Sequence, residues 1–278
     1  MIIASWAGNW PLMKLALGRI DPILFVALRL VGSVAVLAPL LLALRAPLLP
    51  AADERAGLFW VGQLQVTAFL VCSIIGLSLV PPGRAIVLAY TMPLWAIPLG
   101  LLIAPERLSL RQLGGALVGF AGLVLFLNPT LVDWGNRRAL IGNGLLLLAA
   151  ISWAAGSCLY RRRHWQSPFW AQTFWQLAAG VVGIVPVALV LTRDWSVSWS
   201  AGLLAILAYN WVVTTILGYF WWSRVLAALP AAVAGQALTL TPLGGFGLSL
   251  LIFGGDVTAA ALASIALIVA GLVLTLWR

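Results

Sequence analysis

Apolar stretches of 17 to 24 residues follow one another from end to end of this chain, and the polar residues gather in the gaps between them. A helix needs about 20 consecutive apolar residues to cross a bilayer. Divided at its charge, proline and glycine clusters, the chain predicts ten membrane-spanning helices, at about 2–18, 22–44, 57–79, 82–103, 109–127, 139–160, 168–191, 201–223, 230–253 and 257–277. The two longest gaps, 45–56 and 128–138, are too short for a soluble domain, so any function is expected within the membrane.

The pattern is stated twice. Ala89-Tyr90-Thr91-Met92-Pro93 and Ala121-Gly122-Leu123-Val124-Leu125 are answered by Thr239-Leu240-Thr241-Pro242 and Ala270-Gly271-Leu272-Val273-Leu274, the prolines and the five-residue blocks each displaced by 149 positions. Ser5-Trp6-Ala7 matches Ser152-Trp153-Ala154, Lys14 matches Arg161, and Gln63 and Thr67 align with Asn210 and Thr214. Such self-similarity reads as an internal duplication: a first unit at 1–127, a connecting loop at 128–138 and a second unit at 139–278. Five spans is an odd number, so the second copy enters the membrane in the opposite sense. The expected fold is all-α, a polytopic membrane protein with ten transmembrane helices arranged as two inverted five-helix repeats.

Composition agrees: 63% of residues are hydrophobic and 8% charged, where a soluble domain carries roughly a quarter charged. The net charge of +9 does not signal nucleic acid, because most of the arginines stand singly at the ends of apolar runs, where topology signals belong. With a cytoplasmic N-terminus the inside receives nine Lys/Arg, including the triple Arg161-Arg162-Arg163, and the outside six. Both termini are therefore expected in the cytoplasm. No basic region precedes the first span and no cleavage site follows it, so no cleaved leader is expected. Cys72 and Cys158 fall inside apolar runs, where cysteine serves as a small packing residue. No disulfide, metal site or cofactor is implied.

Trp6-Ala7-Gly8-Asn9 with Lys14, then Ala27-Leu28-Arg29, then Glu106-Arg107-Leu108-Ser109 followed by Gly114-Gly115, resemble the repeat of the drug/metabolite transporter superfamily in its EamA-type exporter branch. The resemblance covers the whole chain and is nearest to bacterial exporters of aromatic amino acids. It implies ten helices in two copies, a cell (inner) membrane location and export of small metabolites. The second copy departs from the pattern, with Gly254-Gly255-Asp256-Val257 where the first has Glu106-Arg107.

Polar side chains inside a bilayer are costly, and their spacing points to a pathway. Ser5 and Asn9, Gln63 and Thr67, Trp153 and Ser157, Gln172 and Gln176, and Asn210 and Thr214 are pairs four apart, each a polar stripe on one helix face. Any one stripe can simply bond neighbouring helices together; stripes at matching places in both halves favour a shared cavity at the repeat interface. Tyr90 and Gln236 lie near mid-span in the fourth and ninth spans, where Pro93 and Pro242 are candidate hinges, because proline frees a backbone carbonyl. Among the fifteen tryptophans, Trp6 and Trp153 occupy equivalent deep positions beside polar residues, whereas Trp60, Trp195, Trp199, Trp222 and Trp277 are expected in the interfacial belt. Arg29 is expected to snorkel outward, and Gly115 with Gly119 forms a helix-packing motif. The candidate substrate-binding set is Trp6, Asn9, Gln63, Tyr90, Trp153, Ser157, Gln176, Asn210 and Gln236.

Absences narrow the function. All seven carboxylates fall in loops or at helix ends, so a cationic cargo would find no buried counter-charge. One histidine outside the spans and no buried carboxylate argue against a membrane-embedded enzyme. A retinal-type photoreceptor would need a lysine in the last helix, and Lys14 in the first is the only one. What remains is a carrier exporting amino acids, aromatic ones included, or related neutral or zwitterionic metabolites; another metabolite or drug exporter of the same superfamily is the alternative. The expected partners are a small-molecule substrate and the lipid bilayer. A monomer is compatible with this reading, and the oligomeric state is left open.

Overall fold

The computed structural model describes residues 2–103, 109–127, 136–253 and 259–276. Among these, the chain is helical almost throughout, and the extended backbone amounts to one antiparallel bridge between Ile20 and Val197. The first half runs α1 (Ile2–Ala16), α2 (Pro22–Ala43), α3 (Arg55–Gly62), a π-helical segment (Gln63–Ala68), α4 (Phe69–Leu79), α5 (Pro82–Ala89), α6 (Met92–Ile103) and α7 (Leu110–Leu127). The second runs α8 (Arg137–Arg161), α9 (Phe169–Leu191), α10 (Ala201–Tyr209), a second π-helical segment (Asn210–Leu217), α11 (Gly218–Ala228), α12 (Ala231–Leu238), α13 (Leu240–Phe253) and α14 (Ala259–Leu276). Six continuous runs are long and apolar enough to cross a membrane: Pro22–Ala43, Arg55–Leu79, Arg84–Ile103, Arg137–Arg161, Phe169–Leu191 and Ala201–Ala228. The remaining helices, α1, α7, α12, α13 and α14, fall on the other predicted spans and are shorter, at 15, 18, 8, 14 and 18 residues.

Helix starts follow local chemistry. Asp21 caps α2 by accepting from the N–H groups of Ile23 at 2.8 Å and Leu24 at 3.3 Å, and Pro22 fills the first position, where its missing N–H costs nothing. Asn136 and Ser200 cap α8 and α10 in the same way. The fourth and ninth predicted spans each break ahead of a proline, whereas Pro11, Pro39, Pro98 and Pro186 lie inside unbroken helices. Pro93 and Pro242 cannot donate to the carbonyls four residues back, those of Ala89 and Leu238, and α5 and α12 end at those two residues. In each break a threonine hydroxyl turns back onto the helix: Thr91 Oγ1 donates to the Leu88 carbonyl at 2.8 Å and Thr239 Oγ1 to that of Gln236 at 2.6 Å. The broken helices meet at Gly235, where an added Cβ would stand 3.3 Å from Pro93.

Packing partners come in related sets. α1 lies against α13 as α6 lies against α8; α3 lies against α9 as α2 lies against the second π segment; and α7 pairs extensively with α14. Along that last seam the backbones nearly touch: a methyl at Gly271 would collide with the backbone of Gly115 and Gly119, and one at Gly122 with the Ser264 carbonyl. Gly115 and Gly119 thus act as the packing motif their spacing indicates.

Loops pair at the two ends. At one, Ser198 N donates to the Arg19 carbonyl at 3.0 Å beside the Ile20 bridge to Val197. At the other, Arg163 forms an ion pair with Asp53, and Glu54 accepts from the N–H groups of Gln166 and Ser167. Burial of the Glu54 carboxyl would by itself raise its pKa; hydrogen bonds from Ser167 and the Gln166 N–H, with Arg163 nearby, outweigh that and hold it below its ordinary value. Lys14 Nζ donates to the Leu77 carbonyl in the last turn of α4, and Arg161, its sequence counterpart, donates to the Leu226 carbonyl in the last turns of α11.

Candidate functional site

The helix spacing on α1 sets one wall of a cavity. Trp6, Asn9, Trp10 and Met13 are three or four residues apart, so they share a face, and all four are buried. That face looks onto Val26 and Arg29 of α2, Phe69 and Ser73 of α4, Tyr90 at the break between α5 and α6, Trp153 of α8 and Tyr219 of α11. Together they line a cleft whose space not filled by atoms, open solvent at its mouth included, is about 550 Å³.

Aromatic rings make most of its wall. Trp153 stands at their centre, 4.8 Å from Phe69, 5.3 Å edge-on to Trp6, 5.6 Å from Trp222 and 5.7 Å from Tyr219, measured between ring centroids. Trp10 and Tyr90 are 6.2 Å apart. Trp6 and Trp153, each the centre of a Ser-Trp-Ala triplet, thus meet face to edge, the geometry favoured by ring quadrupoles. Trp6 Nε1 donates to the Thr214 carbonyl at 2.9 Å, which fixes its ring; Tyr219 is fixed by its hydroxyl donating to the Gln65 carbonyl at 2.9 Å.

Polar groups in the cavity are few. Asn9 Oδ1, Ser73 Oγ and Trp153 Nε1 are buried without a hydrogen-bond partner among the described residues. Unpaired buried polar atoms are uncommon and call for a reason. Arg29, 4% exposed, does not snorkel. Its side chain points inward, Nε donating to Thr215 Oγ1 at 2.8 Å and Nη1 lying 3.8 Å from Met13 Sδ. The reason is positional. Arg29 sits on the α2 face that packs against the second π segment, which supplies Thr215. Trp222 likewise departs from the interfacial belt. The helical run continues to Ala228, so Trp222 lies a turn and a half from its end, 2% exposed and against Trp6 and Trp153.

Of the nine sequence candidates, Trp6, Asn9, Tyr90 and Trp153 line this cavity. Gln236 lies beside it, sharing a smaller cleft with Tyr90 and Pro93, its Oε1 buried and unpartnered. The rest face other helices. Gln63 Nε2 donates to the Ala179 carbonyl at 2.7 Å, and Thr67 Oγ1 to that of Gly180 at 3.3 Å, where Gly183 makes room for both side chains. Asn210 Nδ2 donates to the Ile206 carbonyl of its own helix. Ser157 meets Gln65, whose amide oxygen also accepts from Trp222 Nε1 at 3.0 Å; an indole N–H only donates, and this orients the amide. Gln176 is buried beside Gly62, with Nε2 unpartnered. Arg29, Gln65, Ser73 and Tyr219 are polar residues that spacing alone passed over. Gln65 falls two residues from Gln63, on the other side of a helix read as regular. Glu106, Asp256 and Trp277 lie outside the described residues.

A cavity with an aromatic wall and a handful of unpaired polar atoms, held among helices long and apolar enough to span a bilayer, fits a multi-pass membrane carrier of small molecules. The chain matches the model of the EamA-like transporter family over residues 1–128 and again over 140–277, and it belongs to that family. Relatives include a probable amino-acid metabolite efflux pump of Salmonella typhimurium (strain LT2), 26% identical over 98% of this chain and 91% of the relative. A protein of the same description from Escherichia coli (strain K12) is 25% identical over 100% and 94%. The uncharacterized transporter YoaV of Bacillus subtilis (strain 168) is 24% identical over 85% and 81%. One solved crystal structure superposes with a TM-score of 0.76 at 20% identity, covering 99% of this chain and 94% of the other, and shares the fold.

Proposed function

We propose that this transporter exports amino acids, aromatic ones among them, or similar neutral or zwitterionic metabolites across the cell (inner) membrane. It works by alternating access of two inverted five-helix halves, 1–127 and 139–278, with both termini in the cytoplasm. The observation that carries the reading is the aromatic cavity in which Trp6, Asn9 and Tyr90 of one half face Trp153 and Tyr219 of the other. The related packing sets, the paired loops at each end and the Lys14 and Arg161 contacts support the inverted arrangement. The printed descriptions of the Salmonella and Escherichia relatives support the cargo class.

In this mechanism the proline breaks at Pro93 and Pro242 and the two π segments are the places where helices bend. Gln63, Ser157, Gln176, Asn210 and Gln236 belong to the polar surface that rearrangement brings to the cargo, the free Nε2 of Gln176 and Oε1 of Gln236 being available to it. Counterflow exchange in liposomes tests the cargo: large and small amino acids should both exchange, and Tyr90→Ala should weaken the large ones more. Equal losses would make Tyr90 a packing residue. Orientation is tested separately in a background lacking Cys72 and Cys158. A cysteine at Arg138 should react with an impermeant reagent from outside and one at Arg163 should not; the reverse pattern inverts the topology.

A further inference from the structure

Arg29 is a fixed positive charge inside the carrier, and none of the described residues supplies it with a counter-ion. Its contacts are one hydroxyl, Thr215 Oγ1, and one thioether, Met13 Sδ. The four described carboxylates are engaged elsewhere. Asp21 caps α2, Asp53 pairs with Arg163, Glu54 holds the backbone of Gln166 and Ser167, and Asp194 accepts from Ser196 N. A guanidinium offers five N–H donors in a planar fork, and in an apolar interior an unpaired charge is expensive. Such a residue within a membrane protein marks a functional site, a substrate or ion pathway among the roles it takes. The cavity that Arg29 lines also holds an unused donor, Trp153 Nε1, and an unused acceptor, Asn9 Oδ1.

We infer that Arg29 is the anchor for a carboxylate of the cargo, so that this carrier selects for the acid group, with Asn9 Oδ1 as the secondary acceptor for an ammonium. This rests on the proposed transport of small metabolites and narrows it. The fork geometry suits a carboxylate bidentately. One guanidinium offsets one negative charge, which a carboxylate monoanion matches and a phosphate dianion exceeds. No carboxylate is among the residues lining this cavity, and that has a consequence: the carboxyl group matters more than the amine. An amino acid binds best, its deaminated acid next, and its amide and its decarboxylated amine far behind.

The test is competition against labelled phenylalanine in counterflow, using unlabelled phenylalanine, 3-phenylpropionate, phenylalaninamide, phenethylamine and phenyl phosphate. In the wild-type protein the amide and the amine should compete roughly 10- to 100-fold less well than the amino acid, the span of a hydrogen bond to a charged group. In Arg29→Gln the preference for acid over amide should vanish. Arg29→Lys should keep its direction with a smaller ratio, because an ammonium lacks the fork. An amide that competes as well as the acid on wild type, an Arg29→Gln protein that still prefers the acid, or phenyl phosphate outcompeting 3-phenylpropionate would each overturn the inference. The wild-type arm needs no variant to fold. If wild-type liposomes exchange no amino acid, the proposed cargo is wrong, and the anchor is then judged by melting of the purified protein with the same compounds. Stabilisation by 3-phenylpropionate beyond that by phenethylamine supports it, and equal shifts sink it.

Discussion

The α7–α14 seam and the central cavity are built from opposite materials. In the seam, glycines bring two backbones into contact, and Gly115 and Gly271 leave no space for a side chain. In the cavity, large rings hold the helices apart, and unpaired polar atoms face the gap. Without a strong hydrophobic drive between helices in lipid, close packing is what holds them. The proposed carrier uses both: a seam of closely packed backbones and an interior whose unpaired polar atoms are open to cargo.

The contrast can be broken most severely at the seam. Gly271→Leu should abolish folded, monodisperse protein in detergent chromatography, since its side chain would enter the backbone of α7 and overpacking costs about 1–3 kcal/mol even where neighbours can move. Gly114→Leu, one residue from the seam with nothing within 4 Å of the added Cβ, should leave folding unchanged. If both variants fail alike, glycine at the seam is not about close approach.

Trp153→Ala strikes the cavity. It removes the ring that touches Phe69, Trp6, Tyr219 and Trp222, and aromatic-to-alanine changes cost about 3–5 kcal/mol where the site cannot collapse. Melting temperature should fall and exchange of bulky amino acids should drop more than that of small ones, whereas Trp60→Ala, at a residue 59% exposed, should change neither. Tyr219→Phe keeps the ring and removes the bond to the Gln65 carbonyl, for a loss of about 1 kcal/mol in the same melting assay; an unchanged melt would show that this bond contributes nothing net.

The smallest effect is expected at the loop clasp. The folded pKa of Glu54 is depressed, so its stabilising contribution is present above the ordinary carboxylate value and is lost as pH falls through the depressed one. Melting between neutral and strongly acidic pH should show an acid limb that Glu54→Gln flattens. A variant with the same acid limb would assign it to other carboxylates.

How much of this was legible beforehand depends on the distance over which each feature is decided. Helix positions, the Asp21 cap and the packing role of Gly115 follow from neighbours a few residues apart, and the chain alone determined them. It also determined the membrane class, because apolar runs of this length have few other solutions. Pro11, Pro39, Pro98 and Pro186 lie in unbroken helices, so the breaks ahead of Pro93 and Pro242 needed more than a proline. Tertiary structure decided which polar faces meet. Gln63 and Asn9 sit on equally plausible stripes, yet one bonds α9 and the other faces the cavity. Arg29 turns inward because a π segment from the other half places Thr215 beside it, and Trp222 enters the aromatic cluster because its helix runs on to Ala228. A side chain's periodicity says that it has a face; only the packing of helices 186 residues apart in sequence says what that face looks at.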